Sequence, residues 1–319
     1  MVERIIITRK PPGTVSDRLT EYGEVWLWPH DRQIDHEVLS DQIPTATALY
    51  CMLTDRIDRA LLTSAPQLKI VSTMAVGVDN IDLDACRDLG IAVGHTPDVL
   101  TDSTADMAWA LLMAASRRIE ESIAYVKNDL WGPWEPELLL GLDVARTTIG
   151  IVGMGRIGKT IARRATGFDM EILYTSRSPQ VDAERECGAV RVSFDELLER
   201  SDHLVVSTAL TQETRGLLDA DAFRSMKATA NLVNIARGPI VDTDALYEAL
   251  STGQIRSAGL DVTDPEPMSA DHPLLTLPNC TVIPHLGSAT ERTRIAMADL
   301  AAANLVAALT DQEIPSRIA

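Results

Sequence analysis

Short apolar runs alternate with segments whose apolar positions recur every three or four residues, almost from one end of the chain to the other. That alternation predicts parallel strands joined by right-handed helical crossovers. In the first hundred residues the expected strands are Arg4 to Thr8, Val25 to Trp28, Thr47 to Leu53, Lys69 to Thr73 and Ile91 to His95, with helical stretches at Arg56 to Ser64 and Leu83 to Leu89 between them. From Thr147 the strands resume as Thr147 to Val152, Glu171 to Tyr174, Ala189 to Val192, His203 to Thr208, Ala230 to Ile235, Ser257 to Val262 and Cys280 to Pro284. A long helix is expected from Ser103 to about Asn128, capped by Ser103 with Asp106 in its first turn. Trp131-Gly-Pro-Trp134-Glu-Pro136 breaks that helix and reads as a protruding arm. The last helix is expected from Ser288 to Leu309, opened by the capping box Ser288-Ala-Thr-Glu291.

Composition narrows the function classes. With 319 residues, 45% hydrophobic and 24% charged, the chain suits a globular protein of about two domains. Twenty-nine basic against 46 acidic residues give a net charge of −17, which disfavours a nucleic-acid or anionic-membrane partner. The longest apolar stretch, Met107 to Ala115, falls well short of the ~20 residues that span a bilayer. Ile5-Ile6-Ile7 is likewise too short for the apolar core of a secretory signal, so a cytoplasmic protein is expected. Cys51, Cys86, Cys187 and Cys280 show no paired spacing and the histidines no helical pair, so neither a disulfide framework nor a metal site is expected.

Gly150-Ile-Val-Gly153-Met-Gly155-Arg156-Ile157-Gly158 follows an expected strand and opens an expected helix, the setting in which G-x-G-x-x-G marks a dinucleotide site. Gly153 serves the turn, Gly155 the approach of a pyrophosphate, Gly158 the packing of helix on strand, and the helix start offers free N–H groups. The next strand ends Tyr174-Thr175-Ser176-Arg177-Ser178, with no acid at its tip. An NAD site would use a carboxylate there for the ribose hydroxyls, whereas Arg177 with its hydroxyl neighbours suits a 2′-phosphate. NADP(H) is therefore expected in preference to NAD(H).

Three further segments lie just beyond expected strand ends: Asn234-Ile-Ala-Arg237-Gly238, Gly259-Leu-Asp261 through Glu266, and Pro284-His285-Leu-Gly287-Ser288-Ala289. In an open parallel sheet such ends face one crevice. Arg237, Glu266 and His285 suit hydride transfer to a 2-oxo acid: a planar fork for a carboxylate, an imidazole that delivers a proton, and a glutamate that favours its charged form and orients it.

With Met74-Ala-Val-Gly77-Val-Asp79-Asn-Ile-Asp82 and Thr96-Pro-Asp-Val-Leu-Thr-Asp102, these motifs in order make the whole chain resemble the D-isomer-specific 2-hydroxyacid dehydrogenases, most closely the glyoxylate/hydroxypyruvate reductases among them. The resemblance implies an α/β fold of two Rossmann-like, doubly wound parallel-sheet domains with the active site in the interdomain cleft. A flavodoxin-like substrate-binding domain would comprise 1–100 plus 288–319, and a dinucleotide-binding domain 101–287, with a dimerisation helix and arm at 103–146. By the same resemblance Arg237, Glu266 and His285 match the substrate arginine, the orienting glutamate and the acid/base. Val76 and Gly77 lie in the loop whose amides hold the substrate carboxylate, Leu53 lines the substrate pocket, and Ser288 closes over substrate. Asp261 matches the residue that takes the nicotinamide carboxamide. Ile235 and Ala209 match further cofactor contacts, and Arg237, His285 and Gly287 also border the cofactor. Trp134 is expected to reach a neighbouring subunit's active site from a homodimer arm. The implied activity is NADPH-dependent reduction of glyoxylate or hydroxypyruvate to glycolate or D-glycerate. The alternatives are a dehydrogenase for larger 2-oxo acids such as phenylpyruvates and a non-catalytic, dinucleotide-sensing co-repressor.

Overall fold

A computed structural model describes residues 2–319, which divide into two compact units, 2–100 with 289–319, and Thr101–Ser288. In the first, β1 (Arg4–Ile7), β2 (Glu24–Leu27), β3 (Ala48–Cys51), β4 (Ile70–Thr73) and β5 (Ala92–Gly94) form a wholly parallel sheet in the order 2-1-3-4-5. Covered on both faces, its central strands are apolar without alternation, and Ile5, Ile6, Ile7, Leu49, Ile70 and Val71 are fully buried. Crossover helices begin where the sequence supplies a cap: the Asp58 and Asp82 carboxylates accept the amides of Leu61 and Ala85. Gly90 ends the helix Leu83–Leu89 at φ 70°, a conformation favouring glycine.

The helix Glu291–Leu309 returns the chain to this first sheet, burying Met297, Ala298, Ala301 and Leu305 against β3 and β4. It starts three residues later than the expected capping box. Thr290 is the cap, accepting from the amide of Thr293, and Ser288 lies outside the helix. The two hydroxyl residues are only two apart, and the backbone turns helical after the second.

The second unit carries β6 (Thr148–Val152), β7 (Glu171–Thr175), β8 (Val190–Arg191), β9 (His203–Val206), β10 (Asn231–Asn234), β11 (Ser257–Leu260) and β12 (Cys280–Val282). They form one parallel sheet in the order 12-11-10-9-6-7-8. The first strand of the unit, β6, is thus flanked by β7 on one side and β9 on the other, which makes the β6/β9 boundary the point where the winding reverses. All twelve expected strands are present, within a few residues at each end.

The single helix expected from Ser103 to Asn128 is two helices, Thr101–Ser116 and Ile119–Lys127. Ser103 lies inside the first rather than capping it. The break has a local cause: the Ser116 carbonyl takes the amide of Leu142 at 2.8 Å instead of continuing the helical ladder. Gly141 passes so close that a Cβ there would lie 2.4 Å from the same oxygen. Arg118 then turns left-handed, at φ 53°, and its guanidinium grips Glu121 through two bonds of 2.8 and 2.6 Å.

Candidate active site

Because every strand of the second unit runs the same way, the segments following them emerge on one edge of the sheet. Gly153 to Gly158 leave β6, Thr175 to Ser178 leave β7, Ser207 to Ala209 leave β9, Ile235 to Arg237 leave β10, Asp261 follows β11 and His285 follows β12.

The three glycines differ in what surrounds them. Gly153 adopts φ 95°, and a Cβ there would stand 2.8 Å from the backbone of Thr208, so the β6 and β9 ends touch. A Cβ on Gly158 would lie 2.2 Å from the Gly153 carbonyl oxygen. Gly155, which opens the helix Arg156–Ala165, has no atom within 4 Å of where its Cβ would be. Bare backbone at a helix start, with open space in front of it, fits a pyrophosphate.

At the tip of β7 Arg177 is exposed and Ser176 bonds the Ser178 carbonyl at 2.7 Å. Arg177 faces Glu213, whose carboxyl sits below its usual range through the Thr211 hydroxyl, its own backbone N–H and, more weakly, the Arg177 charge. Two residues that sequence reasoning passed over shape this tip and the segment beyond β9. Arg191 on β8 bonds the carbonyls of Ser176 and Arg177, and Thr214 bonds the carbonyl of Ala209 at 2.7 Å.

His285, Glu266 and Arg237 are brought together. His285 Nδ1 lies 2.7 Å from Glu266 Oε1. Burial opposes ionisation of Glu266, but the bond to His285, the imidazole's charge, the Thr263 backbone and Arg237 together hold its carboxyl below the usual range. An ionised carboxylate only accepts, so Nδ1–H donates and the Nε2 edge faces away from this bond. Gly238 lets the two loops meet, since a Cβ on it would fall 1.9 Å from the Thr263 oxygen. Asn234 fixes the Arg237 loop by accepting the Ala236 amide and donating to the Arg237 carbonyl, both at 3.0 Å.

His285 itself is left-handed, at φ 54°. Asp261, only 2% exposed, holds it there: its carbonyl accepts the His285 amide at 2.8 Å, and its carboxylate oxygens accept the amides of Leu286 at 2.5 Å and Gly287 at 2.9 Å. Burial pushes the Asp261 carboxyl up despite those amides. Ile235 is buried beneath the β10 end, while Arg156 is exposed and Ile157 and Ser288 are half-buried.

Leu53, Val76 and Gly77 belong to the first unit. Leu53 follows β3 and borders a depression with Met52, Met74, Trp28 and Arg9 at the carboxyl ends of the strands. Val76 and Gly77 follow β4, half-buried, with the Val76 carbonyl held by His95 Nδ1 at 2.9 Å. Trp134 and Trp131 are 84% and 72% exposed on the arm. Among the described residues no group of three or more His, Cys, Asp or Glu side chains is arranged to hold a metal ion, and no helix is long and apolar enough to cross a membrane.

Residues 109–287 match the family model described as D-isomer specific 2-hydroxyacid dehydrogenase, NAD binding domain. The chain is also 45% identical over 319 residues to the human glyoxylate reductase/hydroxypyruvate reductase, covering 99% of this chain and 97% of that one. This chain belongs to the D-isomer specific 2-hydroxyacid dehydrogenases. Within the family it is 46% identical to a glyoxylate reductase of Thermococcus onnurineus, over 99% of this chain and 95% of that one. A solved structure from Thermus thermophilus superimposes with a TM-score of 0.92 at 44% identity, covering 99% of this chain and all of that one. An NADPH-dependent glyoxylate/hydroxypyruvate reductase from Sinorhizobium meliloti, solved with NADP and malonate, gives 0.88 at 31% identity, over all of this dehydrogenase and 97% of that chain.

Proposed function

We propose that this dehydrogenase reduces glyoxylate and hydroxypyruvate to glycolate and D-glycerate with NADPH as the preferred reductant, as a cytoplasmic homodimer. The observation that carries the reading is the His285–Glu266 pair, 2.7 Å apart, beside Arg237 on the edge that holds the glycine motif.

The bound dihydronicotinamide supplies the hydride. Gly153, Gly155 and Gly158 with the amides of the helix start at Arg156 and Ile157 would hold the pyrophosphate. Thr175, Ser176, Arg177 and Ser178 would take the adenosine ribose and its 2′-phosphate, Ala209 and Ile235 would border the dinucleotide through their backbone, and Asp261 would take the carboxamide near Gly287. Arg237 binds the substrate carboxylate with its planar fork and polarises the neighbouring carbonyl. His285 gives the Nε2 proton to the carbonyl oxygen as negative charge develops on it. Glu266 keeps the ring oriented by accepting from Nδ1–H. Leu53 would line the substrate side of the depression at the strand ends of the first unit.

The homodimer reading rests on the helix Ile119–Lys127 and the arm. Ile119, Ile123, Val126, Leu130, Trp131, Trp134 and Leu140 are all exposed there, an apolar surface continuous in sequence and suited to a second copy of the chain, which Trp134 would reach.

A steady-state panel of glyoxylate, hydroxypyruvate, pyruvate and phenylpyruvate with NADPH and NADH tests the assignment. The two short polar 2-oxo acids with NADPH are expected to give the highest kcat/KM. A preference for phenylpyruvate would move the substrate to larger 2-oxo acids, and no turnover at all would favour a dinucleotide-sensing binding protein. Arg177→Ala should abolish the NADPH preference, and an unchanged cofactor ratio would refute its role.

A further inference from the structure

The tip of β7 carries a second arginine that no sequence motif marks. Arg191 ends the two-residue edge strand β8 and pairs in register with Tyr174 on β7. From there its side chain reaches the turn beyond β7: Nη2 bonds the Ser176 carbonyl at 2.9 Å and the Arg177 carbonyl at 3.3 Å, and Nε bonds the Ser176 carbonyl at 3.3 Å.

This matters because of what a strand tip normally offers an anion. Carbonyl oxygens beyond the strand end present partial negative charge, and here Glu213 adds a full one within range of Arg177. Arg191 consumes two of those carbonyls and brings a permanent cation to the same turn, beside a residue already suited to a phosphate. The Nη1 edge of its guanidinium carries two more N–H donors. We infer that Arg191 is a second residue discriminating for the 2′-phosphate of NADP, acting through the Ser176–Arg177 turn that it clamps and through its own charge. The inference rests on the NADPH preference proposed above, and deepens it by naming a residue on a different strand from the one that carries Arg177.

Binding of 2′,5′-ADP and of 5′-AMP to wild type, Arg177→Ala, Arg191→Ala and Arg191→Lys, measured by calorimetry, separates the possibilities. The two probes differ only in the 2′-phosphate. Arg191→Ala is expected to weaken 2′,5′-ADP about tenfold or more and to leave 5′-AMP within twofold. Arg191→Lys, which keeps the charge but loses the clamp on two carbonyls, should fall between wild type and Arg191→Ala for 2′,5′-ADP. Equal weakening of both probes would mean that Arg191 only supports the sheet edge, and would overturn the inference. So would an unchanged Arg191→Ala in a protein whose Arg177→Ala loses discrimination. If wild type itself binds the two probes equally, the underlying NADPH preference fails, an outcome visible before any variant is made.

Discussion

Adding one methyl group at either of two glycines three residues apart should give opposite results. At Gly155 the new Cβ meets nothing within 4 Å, and the backbone is in a region open to any residue, with φ −77°. The protein should therefore tolerate Gly155→Ala, losing about 0.5–1 kcal/mol because alanine is a poorer N-cap than glycine. For a domain of this size that is a fall in Tm of roughly 1–4 °C. The methyl would, however, occupy the space where a pyrophosphate must approach the helix start, so NADPH should bind at least tenfold more weakly. At Gly158 the Cβ would stand 2.2 Å from the Gly153 carbonyl oxygen and 3.0 Å from Ser207 Oγ. The first neighbour is backbone and cannot rotate away, which puts the cost near the upper end of about 1–3 kcal/mol for overpacking. Better helix propensity returns about 1 kcal/mol. The net of about 2 kcal/mol should lower Tm by roughly 4–8 °C. Thermal unfolding by circular dichroism without nucleotide, with NADPH titrated by its fluorescence, measures both. Wild-type affinity in Gly155→Ala would refute the placement of the pyrophosphate, and wild-type stability in Gly158→Ala would refute the packing argument.

Glu266→Gln keeps an acceptor for His285 but removes the charge, and because the side chain is 35% exposed the expected loss in kcat/KM is only about tenfold. A loss below twofold in steady-state kinetics would show that the charge is dispensable. Arg237→Lys replaces a bidentate fork by a point charge and should cost more than tenfold in kcat/KM, mostly as a raised KM for the 2-oxo acid. A near-wild-type enzyme would contradict the carboxylate role. Ile123→Glu should yield monomers in sedimentation velocity if helix Ile119–Lys127 is the dimer surface, and an unchanged dimer would move the interface elsewhere. His203 is 1% exposed, and burial holds its imidazole below the ordinary value of 6.5 against the opposing pull of the Asp143 carbonyl. The unfolded chain therefore takes up a proton that the folded chain refuses, and stability declines as pH falls below about 6.5, by at most ~1.4 kcal/mol per pH unit from this group. His203→Gln should flatten that slope in urea titrations between pH 6.5 and 5.

How much of this was readable from sequence follows from where the information sits. The strands were legible because both faces of each sheet are covered, leaving unbroken apolar runs such as Ile5-Ile6-Ile7 and Leu204-Val205-Val206. The roles suggested for the glycines were legible because close approach and positive φ restrict residue type. The helix break at Arg118 was not, since its cause is a carbonyl captured by Leu142, a residue more than twenty positions away. Thr290 and Ser288 are equally good caps on paper, and only the backbone path chooses between them. Arg191 lies on an edge strand of two residues, too short to show periodicity, and its partners are carbonyls, which every residue has. Asp261 was noticed by resemblance, but its hold on the Leu286 and Gly287 amides depends on β11 and β12 being neighbours.

The first unit is assembled from the two ends of the chain, and this constrains how the protein is made. Ser72 Oγ donates to the Ala301 carbonyl and Asn304 donates to the His95 carbonyl, bonds that join residues more than two hundred positions apart. A ribosome delivers residues 2–100 early, yet one face of their sheet waits for the helix Glu291–Leu309, which emerges after the whole of the second unit. The second unit is contiguous and can fold as it emerges. Once folded, it shortens the disordered span that the ends must close, so the loop-closure entropy of the first unit falls. Folding order therefore departs from synthesis order: the amino-terminal sheet, though made earliest, is completed only when the last helix arrives, after the middle of the chain.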